Sequence, residues 1–200
     1  MNNCPFCKFD KNDISNTFIE ETDNFFILPS KGSLCEGYLL IVPKQHKFSI
    51  NELNNAQKFE LINLLEKYRK IFYKCYNNYP LFFEHGSSIQ DQSNSSSSIT
   101  HAHIHIVNHN FTNEKQIIKD LNMTKVSPEE FFNYKNQNYI SYISPNSDFY
   151  ITYNFKPISQ QMRIFIANDL NLSNEYNWRT SNFENNIIKT IKALKTNIVD

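Results

Sequence analysis

Polar and apolar positions alternate strictly along residues 101–107, where His101, His103 and His105 interleave with Ala102, Ile104 and Ile106. Period two predicts a strand, with three imidazoles on one face and the apolar residues on the other. Upstream, "YLLIVPKQH" (38–46) is a continuous apolar run stopped by Pro43, which predicts a buried strand ending near Val42. "NFFIL" (24–28) and "LFFEHG" (81–86) predict two more strands, and "PSKGSLCEG" (29–37) a loop. Over 51–76, Leu53, Leu61, Leu64, Leu65, Tyr68, Phe72 and Cys75 recur at mostly helical spacings. They predict a helix capped by Ser49 or Asn51 and ended by Pro80. "SSIQDQSNSSSSIT" (87–100) is a loop by composition. Beyond 110 the pattern is mixed. "YISYIS" (139–144) and "FYITYNF" (149–155) suggest a hairpin across "PNSD". Two helices are expected over 159–172 and 182–197, with Trp178 between them as a packing anchor.

Composition narrows the class. A chain of 200 residues, 40% hydrophobic and rich in Phe (17) and Tyr (11), can pack one full domain with an appended helical piece. A formal net charge of +0 argues against a nucleic-acid polymer or a membrane surface as partner. The first residues, "MNNCPFCKFD", lack a basic stretch followed by an apolar run, and no window approaches the length of a membrane span, so neither leader nor span is expected. Cys4, Cys7, Cys35 and Cys75 fit a reducing, cytoplasmic setting better than a disulfide framework.

The histidine face has two candidate chemistries. Neutral imidazole is the commonest metal ligand, and it is also a nucleophile able to attack phosphorus. Ligands at i and i+4 on a flat strand are about 13 Å apart along the backbone, too far to share one ion easily, so the strand is expected to divide its labour. Cys4-Pro5-Phe6-Cys7 supplies half a zinc site, and a thioredoxin-like redox pair would need a βαβ context that is absent. His46, His85 and one end of the histidine strand are the candidates for the remaining ligands.

"HAHIHIV" (101–107), with "YLLIVPKQH" leading into Pro-Lys-x-His, resembles the histidine triad (HIT) superfamily. "CPFC" resembles its zinc-binding branch. "FFEHG" (82–86), "SQQMRIFIA", "NWR" and "NNIIKTI" resemble a bacterial subgroup with a longer C-terminus. The resemblance implies an α+β fold: an antiparallel sheet of about five strands with helices on one side, plus a C-terminal helical extension. It divides the chain into a core over 1–110 and an extension over 111–200 packed on it as one unit.

The resemblance also implies chemistry. His103 is expected to be the nucleophile and His105 to meet the phosphates. Cys4, Cys7, His46 and His101 are expected to hold a structural zinc. Ser98, three residues before the triad, is expected to help protonate the leaving group, with Ser96 and Ser97 beside it offering phosphate contacts. The ribose-contacting position falls on Ser30. The expected activity is a nucleotide hydrolase, cleaving at the α-phosphate of a phosphoramidate, dinucleoside polyphosphate or related nucleotide through a covalent nucleotidyl-histidine. Histidine rather than glutamine at 105 favours hydrolysis over a nucleotidyltransferase or phosphorylase reaction. The reading from a different class is a zinc-stapled nucleotide-binding module without turnover. Histidine triad proteins are often homodimers, which the extra C-terminal helices could prevent here by covering that surface.

Overall fold

The computed structural model describes residues 4–88, 96–133 and 137–198. The predicted loop over 87–100 thus falls partly, at 89–95, outside the described residues. Among the described residues, eight strands form a single sheet: β1 (Glu20–Glu21), β2 (Phe25–Pro29), β3 (Tyr38–Pro43), β4 (Leu81–Gly86), β5 (Ile104–Val107), β6 (Thr124–Val126), β7 (Tyr139–Ile143) and β8 (Phe149–Thr152). Their order is β1-β2-β3-β5-β4-β7-β8-β6, and every pairing is antiparallel. The sheet exceeds the expected five strands because β4 offers its second edge to β7. The C-terminal hairpin therefore continues the same sheet.

The helices are α1 (Asn55–Tyr76), α2 (Glu114–Asp120), α3 (Pro128–Phe131), α4 (Gln161–Asp169) and α5 (Glu184–Ile198). The α1 helix starts later than the pattern predicts. Residues 50–52 form a 3-10 turn, and Ser49 makes no side-chain cap. Asn54 caps α1 instead, in a reciprocal capping box with Gln57.

Strand alternation assigns the two faces. Ile27, Leu39, Ile41, Phe82, Ile104 and Ile106 pack with Leu61, Leu64, Tyr68 and Phe72 of α1 and Leu194 of α5. On the opposite face, Leu28, Tyr38, Leu40, Phe83 and Val107 pack with Met162, Ile166 and Ala167 of α4 and with Phe6 of the N-terminal arm. His105 stands opposite Leu40 on one side and Phe83 on the other, so it lies on the face that α4 covers. The ladder of β5 begins at Ile104, not His101. The preceding turn is bound differently: Ala102 N–H donates to the Lys47 carbonyl, and the His101 carbonyl accepts from a side chain. No helix among the described residues is long and apolar enough to cross a membrane.

Candidate active site

The imidazoles are fixed by groups whose hydrogen-bonding roles leave little choice. His103 Nδ1–H donates to the His101 carbonyl oxygen at 2.7 Å. A carbonyl can only accept, so Nδ1 carries the proton and Nε2 keeps its lone pair. His101 Nε2–H donates to the Pro43 carbonyl at 2.8 Å, which leaves its Nδ1 lone pair free. His85 Nε2 accepts from the Met162 N–H at 3.3 Å, so its proton is on Nδ1. The Tyr38 hydroxyl lies 3.0 Å from His105 Nδ1. The Arg163 guanidinium packs against the same phenol, its central carbon 5.3 Å from the ring centroid. That positive charge favours the phenol oxygen facing it and the hydroxyl hydrogen facing His105. His105 then presents Nε2–H.

Burial keeps these rings neutral. His103 is pushed down to about 4 and His85 to about 3, chiefly because the charged form loses water. His105 is lowered for the same reason, and the Arg163 charge adds to all three shifts. The His103 and His105 rings are 4.8 Å apart, and Phe83 stacks on His105 at 4.1 Å.

A cavity opens over this face. His85, His103, His105, Ser98, Trp178 and Ser30 line it, together with the charged residues Lys31, Asp10 and Asp13. The C-terminal segment builds part of it. Trp178 Nε1–H donates to Ser98 Oγ at 3.0 Å, and Arg179 Nη2 donates to the Ser98 carbonyl at 2.9 Å. Indole can only donate, so the Ser98 hydroxyl hydrogen stays available.

Beside the cavity, Cys4, Cys7, His46 and His101 bring four ligand atoms within 4.8 Å of one another. Cys4 Sγ and Cys7 Sγ lie 3.4 and 3.6 Å from His101 Nδ1, and Cys7 Sγ lies 3.3 Å from His46 Nδ1. Zinc–sulfur and zinc–nitrogen bonds at the tetrahedral angle require sulfur–nitrogen edges of ~3.6 Å. The four residues therefore fit a closed tetrahedral zinc site. The Pro43 carbonyl orients one of its ligands from behind.

The family model described as "Scavenger mRNA decapping enzyme C-term binding" matches residues 3–120. The chain belongs to this family, a branch of the histidine triad superfamily. Among solved structures, this histidine triad protein is similar to a Hit-like protein involved in cell-cycle regulation from Bartonella henselae, with 20% identity over 55% of this chain and 77% of that one, at a TM-score of 0.45. It is similar to a hypothetical protein from Leishmania major at 27% identity, over 57% and 77% of the two chains, with a TM-score of 0.44. A zinc-bound histidine triad family protein from Mycobacterium smegmatis matches at 16% identity, over 56% and 79%, also with a TM-score of 0.44.

In this histidine triad protein the expected residues are not all brought together. His103, His105, Ser98 and Ser30 line the cavity, while Ser96 and Ser97 do not. The Ser96 side chain is buried and its carbonyl accepts from Gln160 N–H at 3.0 Å. Ser97 Oγ donates to the Ile99 carbonyl. Ser30 Oγ donates to the Lys31 carbonyl at 3.3 Å. His85, an open candidate for the metal, lies in the cavity instead. Its place was latent in the sequence, because residues 83 and 85 of one strand share a face. His109, two residues beyond β5, pairs with Asp169 at the end of α4 at 2.8 Å and so ties the extension to the core. Tyr38, Arg163 and Trp178 carried no sequence signal for this site.

Proposed function

We propose that this protein is a nucleotide hydrolase that cleaves at the α-phosphate through a covalent nucleotidyl-His103. The observation that carries the reading is the 2.7 Å bond from His103 Nδ1 to the His101 carbonyl. It aims a neutral Nε2 lone pair while holding the proton on the other nitrogen. As Nε2 forms a bond to the α-phosphorus, the bond to the leaving group breaks and its electron pair leaves with that group. The imidazolium so formed keeps its Nδ1–H on the carbonyl, which favours the developing charge. His105 donates Nε2–H to a phosphoryl oxygen. It stays neutral, so it stabilises charge by hydrogen bonding rather than by giving up a proton. A phosphate leaves as an anion. An amine or alkoxide needs a proton, which the Ser98 hydroxyl relays: it gives its own proton to the leaving group and takes one back from solvent water. Water then adds to phosphorus, loses a proton to solvent, and the phosphorus–nitrogen electron pair returns to His103.

Zinc is the metal this Cys2His2 set favours, in a structural role, because four protein ligands leave no position for a reacting water. When bound it holds the N-terminal arm, and with it Phe6, whose ring lies 5.2 Å from that of His103.

The test is capture of the adduct. A nucleotide labelled at the α-phosphate, mixed with the protein and quenched in base, should leave label on the wild-type chain at His103. His103→Ala should carry none and should turn over at least about 1,000-fold more slowly, while still binding nucleotide. Retention of more than a few per cent of the wild-type rate would remove His103 as nucleophile.

A further inference from the structure

The extension contributes a buried cation that has no ion-pair partner among the described residues. Arg163, in the first turn of α4, is 2% exposed. Its Nη2 donates to the Gly32 carbonyl at 2.7 Å and its Nε to the Tyr176 carbonyl at 2.9 Å. Nη1 makes no hydrogen bond. Among the described residues, no carboxylate lies within ion-pair distance of the guanidinium. Burying an uncompensated charge costs several kcal/mol, so buried cations are ordinarily paired. Here the neighbours are a phenol and neutral imidazoles, and Arg163 lines the cavity with His103 and His105.

One further feature concentrates positive potential at that point. The α4 helix has nine residues and its first turn meets the histidine face, since Met162 N–H reaches His85. The positive end of the helix dipole therefore adds to the guanidinium. Gly32, whose carbonyl receives Arg163, has φ +68°, and a Cβ there would lie 2.9 Å from the Trp178 Cα. The loop after β2 and the segment carrying Trp178 thus close around the arginine.

We propose that Arg163 is a phosphate-binding residue of the His103 cavity, with the substrate's phosphoryl anion as its missing counter-charge. The inference rests on the nucleotide reading of the cavity and adds a specific anion receptor from outside the triad. It assigns discrimination between a phosphorylated ligand and its neutral counterpart to the C-terminal extension.

The experiment is calorimetric titration of the zinc-loaded full chain with the four common nucleoside 5′-monophosphates, each compared with its nucleoside. Wild type should prefer at least one monophosphate over its nucleoside. Arg163→Gln should weaken that monophosphate by about 10- to 100-fold, the range for losing a charged hydrogen-bond partner. Nucleoside affinity should hold within about 2-fold, and Arg163→Lys, which keeps the charge but not the fork, should fall between. Equal losses for monophosphate and nucleoside, or no preference in wild type, would overturn the assignment. Should Arg163→Gln fail to fold, Arg163→Lys decides alone. A phosphate-specific loss of several-fold supports the proposal, and unchanged affinities overturn it. The readout is equilibrium binding, so it separates from the nucleophile test. Phosphate selectivity without a His103 adduct would sink the hydrolase reading and leave this one standing. An adduct without an Arg163 effect would do the reverse.

Discussion

Trp178 Nε1 and Ser98 Oγ, 80 residues apart in sequence, are joined by a 3.0 Å hydrogen bond. The indole occupies an acceptor lone pair of the hydroxyl and directs its hydrogen elsewhere. Ser98→Ala should therefore slow hydrolysis of a substrate with a poor leaving group by ~10- to 1,000-fold, the range for one lost transition-state donor. A substrate with a good leaving group should lose much less. Trp178→Phe, which keeps a ring but removes the N–H, should reproduce a smaller version of the same selectivity. The ratio of rates on matched substrates is the measurement. Equal losses on both would reduce Ser98 to a positioning role.

The metal site makes a separate prediction. Protein prepared without chelator should contain about one zinc per chain, as four protein ligands imply. Cys4→Ser and His46→Ala should each lower zinc content and melting temperature together. Turnover should fall only as far as the arm carrying Phe6 loosens. Elemental analysis showing no zinc would refute the site and leave the His103 argument intact.

Tyr38 tests the proton arrangement of the triad. Tyr38→Phe removes one hydroxyl from a fully buried ring and should cost about 0.5–1.5 kcal/mol of stability, a typical single hydrogen bond. If the phenol holds His105 with its proton on Nε2, kcat should fall with KM little changed. The nitrogen-15 shifts of His105 should also move toward a mixture of tautomers. Unchanged shifts in the variant would show that something else sets the tautomer.

Glu84 supplies a pH dependence away from the site. Its buried carboxylate accepts from the Ile50 N–H at 3.1 Å and from the Tyr139 hydroxyl, yet burial pushes it up to about 8 from an ordinary value of 4.5. A folded-state value above the unfolded one means that the native protein holds this proton more tightly. The stability it contributes is full below about pH 4.5 and is lost as pH rises toward 8, at no more than ~1.4 kcal/mol per pH unit. Glu84→Gln, neutral throughout, should flatten denaturant-unfolding stability between pH 5 and 8 relative to wild type. Parallel curves for the two proteins would mean that Glu84 is ionised in the fold.

Local pattern carried much of the architecture. Alternation and apolar runs located β2, β3, β4 and the β7–β8 hairpin, because a strand's two faces are written in its own residues. The 81–86 run coincides with β4. The ligand set Cys4, Cys7, His46 and His101, inferred through the family resemblance, is gathered by the fold into one cluster. The predicted caps, Ser49 and Asn51, do not start α1: Ser49 precedes a 3-10 turn, Asn51 lies inside it, and Asn54 makes the cap. Which one acts depends on whether a side chain reaches a backbone N–H. Residues 101–103 alternate as a strand would, but they lie outside the ladder. The His101 carbonyl is taken by His103, a contact that hydrophobic periodicity does not encode.

What the sequence could not determine is what the extension does. Arg163 falls in a predicted helix and Trp178 is expected only as a packing anchor, and nothing in their spacing relates them to a histidine sixty or more positions away. Only tertiary structure decides that β7 pairs with β4, that α4 then covers the histidine face, and that its first turn meets the cavity. The physical reason is that a strand edge and an apolar face specify that something must cover them, but not which distant segment will. That choice follows from packing and hydrogen-bond satisfaction over the whole chain, and it brings the arginine and the indole to the nucleophile.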